Sequence, residues 1–313
     1  MKQLLRFVVL VLLCGQLSAW AGVNEDLLAA AKDGKSKEVE RLLKTGADVS
    51  VQNAEGVTPL HEAAASGNRK IVELLIAHHA EVNASDHLGY TPLHMAAYWK
   101  HNEVAKLLLE RGAEVNASIA GGFTPLCRAV TPLDDVSAYK HGGIASVPSP
   151  AAVTSNKALV ELLLAKGAQI KVKNADGITP LHLAAILGVA DIVKLLIANG
   201  AEVNTKEDEG FTPLYLAAKY DRKEISEILL AHKANIEQKT TEGESPLSIA
   251  TVNGNSATTE LLLRHGANAN IKDKQGRPIL FQILTIERRF YSLVSPYFSI
   301  EIEYRNRVRL DLI

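Results

Sequence analysis

Apolar and polar residues follow one another along most of this chain with the spacing of short amphipathic helices. After Thr58-Pro59, Leu60 and two alanines form a thin apolar face, and a second apolar stripe then recurs at helical spacing at Ile71, Val72, Leu75 and Ile76. A threonine oxygen can cap a helix N-terminus, and proline is favoured at the first helical position. The pattern therefore predicts two short helices, the first of which starts directly after Thr58.

This helix pair is repeated along the chain. The segment TPLH, or a close variant of it, begins at Thr58, Thr91, Thr124, Thr179, Thr212 and Ser245, in steps of 33, 33, 55, 33 and 33 residues. Each copy is followed by a similar tail, such as LLIAHHAEVNA from Leu74 or LLIANGAEVNT from Leu195. Self-similarity at a fixed period indicates stacked units, none of which buries its apolar face alone.

The repeated segments resemble the ankyrin repeat, and the resemblance covers residues 24–285. It implies an all-α solenoid of stacked helix-turn-helix units with projecting β-hairpin turns. We expect about six recognisable repeats, with degenerate caps at both ends. The resemblance also implies that the imidazoles of His61, His94 and His182, which share one position of the motif, form hydrogen bonds between repeats.

Glycine is expected to end the second helix in most repeats, because it adopts the left-handed backbone conformation without strain. The expected position is occupied by glycine at Gly46, Gly112, Gly167, Gly200 and Gly266. His79 and Lys233 replace it in two repeats. We expect strained or differently capped turns at these two positions.

The first 21 residues have the pattern of a signal peptide. Lys2 and Arg6 precede the apolar run 7–13, and Ala19-Trp20-Ala21 provides an A-x-A cleavage site. The run is too short for a membrane-spanning helix, which needs about 20 residues. We therefore expect a bacterial protein that is exported to the periplasm or secreted. Cleavage would leave Cys127 as the single cysteine and exclude an internal disulfide.

Two segments depart from the repeat. A 22-residue insertion lies within 131–155, inside the solenoid that we assign to residues 22–285, and its proline, glycine and serine content predicts a loop. The C-terminal tail, 286–313, ends in alternating apolar and charged residues, a strand signal with no obvious partner strand.

Composition and motifs argue against several functions. The chain is 47% hydrophobic and 22% charged, which is typical of a folded protein, and its net charge of −1 offers no general attraction to nucleic acid. We find no nucleophile elbow, phosphate-binding glycine loop or zinc-protease motif. We expect no enzymatic activity, no metal, no cofactor and no small-molecule substrate, and we expect a monomer.

The resemblance implies that a protein partner binds in a concave groove. The groove positions lie just before each repeat's threonine or serine and seven and eight residues after it, and they place in the groove Tyr90, Tyr98, Trp99, Phe123, Ile186, Leu187, Phe211, Lys219 and Tyr220. Exposed aromatic residues often dominate binding energy. For Tyr90, Phe123 and Phe211, packing at the hairpin base is an equally good interpretation.

Three roles remain open within this function. The protein could inhibit a toxic enzyme in the periplasm, in the manner of an immunity protein, or it could bind a host protein after secretion. Alternatively, the tail could dock on a sheet edge or on a membrane, and any membrane contact is expected to run through the tail alone.

Overall fold

The computed structural model describes residues 22–131 and 156–271, together with two strands at 299–303 and 307–311. The predicted signal peptide, nearly all of the insertion, the last partial repeat and the tail apart from its strands lie outside the described residues. The chain divides into two compact units, which are treated separately below. The first unit comprises Met1–Asp135 and Thr154–Ala175, and the second comprises Val136–Val153 and Asp176–Ile313.

Helices in pairs make up the described part of both units. In the first unit they are α1 (22–32), α2 (Ser36–Lys44), α3 (Pro59–Ser66), α4 (Arg69–Ala77), α5 (Pro92–Tyr98), α6 (Asn102–Glu110), α7 (Pro125–Val130) and α8 (Lys157–Ala165). In the second unit they are α9 (Pro180–Leu187), α10 (Ala190–Ala198), α11 (Pro213–Lys219), α12 (Lys223–Ala231), α13 (Pro246–Val252) and α14 (Ser256–Arg264). Within each unit, successive first helices pack on one another, as do successive second helices. The predicted repeat solenoid is confirmed.

Each first helix begins where the Thr-Pro pair predicts. Thr58 is the extended N-cap of α3, with Pro59 at the first helical position. The His61 Nδ1 accepts a hydrogen bond from the Thr58 backbone N–H at 3.2 Å. The His61 Nε2 lies 2.9 Å from the backbone oxygen of Tyr90 in the next repeat. Because a carbonyl oxygen can only accept, the hydrogen is on Nε2 and the ring is neutral.

The same bonds recur at the two other motif histidines. The Nε2 of His94 lies 3.2 Å from the Phe123 oxygen, and that of His182 lies 3.0 Å from the Phe211 oxygen. The predicted hydrogen bonds between repeats are thus confirmed for all three histidines. Burial lowers the pKa of His61, and it lowers that of His94 to about 4.

The hairpin turns connect neighbouring repeats through asparagine side chains. Asn83 donates from Nδ2 to the Gly112 oxygen at 3.1 Å and accepts from the Glu114 backbone N–H at 2.8 Å. Asn116 makes the equivalent bonds to Gly167 and Gln169. Both Asn-Ala-Ser sequences of the chain begin at these asparagines, whose amides are therefore already part of the fold.

Left-handed residues end many of the helices, and among the described residues four left-handed residues are not glycine. His79 and Lys233 have φ values of 67° and 65°, so the strain that the sequence predicts at these two turns is confirmed. Lys100 and Asp221 are also left-handed, with φ values of 62° and 52°. They occupy the position that Gly67 holds after α3.

The tail contains an antiparallel pair of strands, β1 (Ser299–Glu303) and β2 (Arg307–Asp311). Their register pairs Ile300 with Leu310 and Ile302 with Val308. The strand signal in the sequence is confirmed. The partner strand that the sequence did not reveal is in the tail itself, since β1 and β2 pair with each other. This hairpin lies outside the repeats, whose described residues have the predicted all-α class.

Candidate functional site

Four of the predicted groove residues lie together in the first unit. Tyr98 ends α5 and Trp99 is its C-cap residue, while Tyr90 and Phe123 precede the helices α5 and α7. Trp99 is 44% exposed, and the other three side chains are partly exposed. The rings of Tyr98 and Trp99 meet edge to face, with their centroids 5.3 Å apart.

The residue at the centre of this cluster, Arg128 on α7, is one that the sequence analysis missed. Its guanidinium carbon lies 4.9 Å from the ring centroid of Tyr90, 5.3 Å from that of Phe123 and 5.9 Å from that of Tyr98. Such distances are typical of cation–π contacts. We call these four residues, with Trp99, the aromatic face of the first unit.

The position of Arg128 within the repeat could have singled it out from the sequence alone. Four residues after the threonine or serine, the other repeats carry Glu62, Met95, Leu183, Leu216 and Ile249. Arg128 is the single basic residue at this position, which is apolar in four of the six copies. A charge in a mostly apolar register is an informative exception, because burying a charge is costly.

Arg128 is buried without a counter-charge. Its side chain is 3% exposed, and one of its Nη atoms donates to the Tyr90 hydroxyl oxygen. Its Nε atom has no hydrogen-bond partner. None of the ion pairs among the described residues involves it. Burial lowers the pKa of Arg128, which nevertheless remains a cation.

Lys100 follows α5, and its side chain reaches the C-terminal end of α7. Lys100 also binds residues on both sides of the insertion. Its ammonium donates to the carbonyl oxygens of Arg128 at 3.0 Å, Ala129 at 2.7 Å and Thr131 at 2.5 Å. Its own carbonyl oxygen accepts from Asn156 Nδ2 at 3.2 Å. An ammonium is favourable at a helix C-terminus, where the backbone carbonyls carry partial negative charge. Burial lowers the pKa of Lys100 to about 7.

The predicted residues of the second unit form a different arrangement around Tyr215, which takes the histidine position in its repeat. Phe211 stacks on Tyr215 with ring centroids 4.7 Å apart, and the ammonium of Lys219 lies 5.3 Å from the Phe211 ring and 5.7 Å from that of Tyr220. The Tyr215 hydroxyl donates to a carboxylate oxygen of Glu244 at 2.5 Å. Burial raises the pKa of Tyr215, which is 2% exposed. The buried Tyr215 hydroxyl thus has a hydrogen-bond partner, Glu244.

Ile186 and Leu187 do not have the exposure that the groove prediction requires. Both are buried, Leu187 completely, as are the other six residues of α9. The sequence of α9, PLHLAAIL, is apolar on every face, and such helices are buried all round. Phe211 is also buried, so packing at the hairpin base describes it better than exposure.

Val252 is a second residue that the sequence analysis missed. It lies seven residues after Ser245, at the register that Tyr98 and Lys219 occupy in their repeats, and it is 54% exposed. Continuing the register by one more repeat would have found it.

Two further kinds of functional feature are clustered metal ligands and membrane-spanning helices. Within them, no three histidine, cysteine or acidic side chains converge as a metal site would require. None of the described helices combines the length and the apolar character needed to cross a membrane. Cys127 is buried, which raises the pKa of its thiol.

Comparison with known families accounts for the repeated unit. A model of three consecutive ankyrin repeats matches residues 27–119 and again 151–240, and a single-repeat model matches residues 242–274. The chain belongs to the ankyrin repeat family. Members of this family are typically protein-binding scaffolds rather than enzymes.

A solved structure supports the same assignment. The human ASB11 ankyrin repeat domain is 27% identical to this ankyrin protein, with a TM-score of 0.62, over 77% of this chain and 98% of that one. A comparison with curated protein sequences found no significant match.

Proposed function

We propose that this ankyrin protein is an exported scaffold that binds a protein partner through the aromatic face of its first unit. The observation that carries the proposal is the exposure of Trp99 beside the partly exposed rings of Tyr90, Tyr98 and Phe123. Large aromatic residues that are exposed in one patch are the type that contributes most to protein interfaces.

The experiment compares two double variants in affinity capture from the compartment in which the protein resides. Tyr98→Ala with Trp99→Ala removes the exposed part of the aromatic face, and Lys219→Ala with Tyr220→Ala is the matched control at the same registers of the second unit. Circular dichroism establishes that both variants remain folded. We expect a partner that the wild-type chain and the control retain and that the Tyr98, Trp99 variant loses.

The opposite result would change the assignment of the site. Loss of the partner from the second-unit variant alone would move the binding surface to Lys219 and Tyr220. Capture of the same partner by all three proteins would show that neither pair is the site.

Export is proposed on the N-terminal pattern of Lys2, Arg6, the apolar run 7–13 and Ala19-Trp20-Ala21. The test is N-terminal sequencing of the protein recovered from the periplasm and from the culture medium. A mature chain that begins at Gly22 is the expected result. An intact N-terminus on protein found only in the cytoplasm would contradict the proposal.

A further inference from the structure

The Tyr90 hydroxyl is a hydrogen-bond donor with no acceptor of its own. Its oxygen accepts from Arg128, and among the described residues no group accepts its hydrogen. The side chain is partly exposed, at the edge of the aromatic face. A partner that approaches this face would therefore meet an O–H group that donates to no acceptor in the described part of the first unit.

Arg128 makes this hydroxyl a stronger donor. A hydrogen bond received from a cation polarises the O–H bond, and chains of hydrogen bonds strengthen one another where water is excluded. The guanidinium also carries a whole positive charge, and none of the ion pairs among the described residues involves it. In a partly buried environment such a charge attracts an anion more strongly than it does in water.

Aromatic surface lies beside the guanidinium that binds this hydroxyl. The Tyr98 ring lies near Arg128 and contacts the ring of Trp99, and the ammonium of a second cation, Lys100, is occupied by three backbone carbonyls. The face thus combines one hydrogen-bond donor of positive potential with exposed aromatic surface. This combination is complementary to a carboxylate with a neighbouring apolar side chain.

We propose that the Tyr90 hydroxyl, supported by Arg128, donates a hydrogen bond to an aspartate or glutamate side chain of the partner, whose adjacent apolar residue packs on Tyr98 and Trp99. The occupant is an acidic and apolar peptide segment of another protein. This inference rests on the proposed function, because it specifies the chemistry of the same binding face.

The experiment starts from random peptides displayed on phage and selected on the full-length protein. We expect the selected peptides to share an acidic residue next to an apolar one. One such peptide is then made in two fluorescent forms that differ only by glutamate or glutamine, and the affinity of each is measured by anisotropy. The glutamate form should bind wild-type protein about tenfold more tightly, because a hydrogen bond to a charged group is worth about 1.5 kcal/mol or more.

Two substitutions test the residues that produce this preference. Tyr90→Phe removes the hydroxyl, and Arg128→Met removes the charge at similar volume, so in both the ratio between the two peptides should fall to about one. Arg111→Met is the matched control, because Arg111 is exposed at the end of α6, outside the aromatic face. The control should keep the wild-type ratio. Circular dichroism checks each fold, and Tyr90→Phe keeps the test decisive if Arg128→Met does not fold.

The outcomes separate this inference from the proposed function. Selected peptides that lack an acidic residue but still require Trp99 would overturn the inference and leave the scaffold function intact. A selection that yields no peptides, or peptides that bind the Tyr98→Ala, Trp99→Ala variant as well as the wild type, would overturn both. If sedimentation shows that the wild-type chain self-associates through Tyr90 and Arg128, the occupant is a second copy, and the proposed foreign segment is wrong.

Discussion

The two units carry aromatic clusters at corresponding registers, and the clusters differ in how their polar groups are compensated. In the first unit the rings surround Arg128, whose Nε atom is unpaired and which forms no ion pair with a carboxylate among the described residues. In the second unit Phe211 stacks on Tyr215, whose hydroxyl is bound by Glu244. The position that holds Arg128 is occupied by Leu183 and Leu216 there.

This difference concerns how completely the polar groups of each cluster are paired within the described residues. The second-unit cluster resembles an ordinary core, because its central polar group has a partner and Phe211 is buried. The first-unit cluster keeps a buried charge without a counter-charge and an exposed tryptophan, two features that cost stability or solubility in an isolated chain. Features of this kind are expected where a partner compensates them.

The largest effect we expect is at His94 in the first unit, whose position in the repeat is held by His182, Tyr215 and Ser248 in the second unit. The pKa of His94 is about 4 in the folded protein, whereas an unfolded histidine titrates near 6.5. Between pH 4 and about pH 6.5, the unfolded chain binds a proton at His94 that the folded chain does not bind. The stabilisation is therefore complete above about pH 6.5 and is lost as the pH falls towards 4, by about 3 kcal/mol.

Urea unfolding at a series of pH values measures this loss. The comparison is with His94→Gln, which keeps a donor and an acceptor but does not titrate. The difference in unfolding free energy between the two proteins should change over this pH range. An unchanged difference would show that His94 is not buried as described.

The second largest effect concerns the exposed apolar residues. Trp99→Ala should weaken partner binding by about 2 kcal/mol, roughly thirtyfold, as expected for a central aromatic contact. Val252→Ala, which truncates an exposed apolar residue of the second unit, should change it by less than about twofold. Calorimetric titration with the captured partner provides the measurement, and equal losses in the two variants would remove the distinction between the units.

A smaller effect is expected at Tyr215. Tyr215→Phe removes the donor to the Glu244 carboxylate and should lower the free energy of unfolding by about 1.5 kcal/mol. Chemical denaturation measures it. The double variant with Glu244→Gln is the control, and if the hydrogen bond stabilises the fold, the two substitutions will be non-additive.

The smallest effect is expected at Arg128. Arg128→Met replaces a charge without a counter-charge by an apolar side chain of similar volume, so stability should stay within about 1 kcal/mol of the wild type or increase. The same denaturation assay applies. A large loss of stability would mean that the contacts with the three rings hold the first unit together and are not available for recognition.

Much of the fold could be predicted because local chemistry determines it. Thr58-Pro59 and its equivalents set the helix starts, whereas the histidine bonds between repeats were implied by the resemblance to the ankyrin repeat. The left-handed strain at His79 and Lys233 also follows from a glycine position filled by another residue. These are properties of one repeat or of two adjacent repeats, which the period makes visible.

The candidate site was predicted only in part. The position of a residue within the repeat indicates the helix face on which it lies, but not which residues pack over that face. Tyr98 is partly exposed and Trp99 is exposed, whereas the same reasoning gave exposure to Ile186 and Leu187, which are buried. The partners of Lys100 were also beyond prediction, since they depend on the left-handed turn that directs its side chain to the end of α7. Whether any of these residues bind a partner stays a prediction.

The position of Lys100 has a consequence for protein engineering. Its ammonium binds Thr131 on one side of the insertion, and its carbonyl oxygen binds Asn156 on the other, so a single residue holds the two chain ends together. The entropy of closing a loop changes only slowly with its length once its ends are fixed. A fluorescent reporter placed between Thr131 and Asn156 should therefore be tolerated, so that a sensor could be built on the first unit without redesigning the repeats.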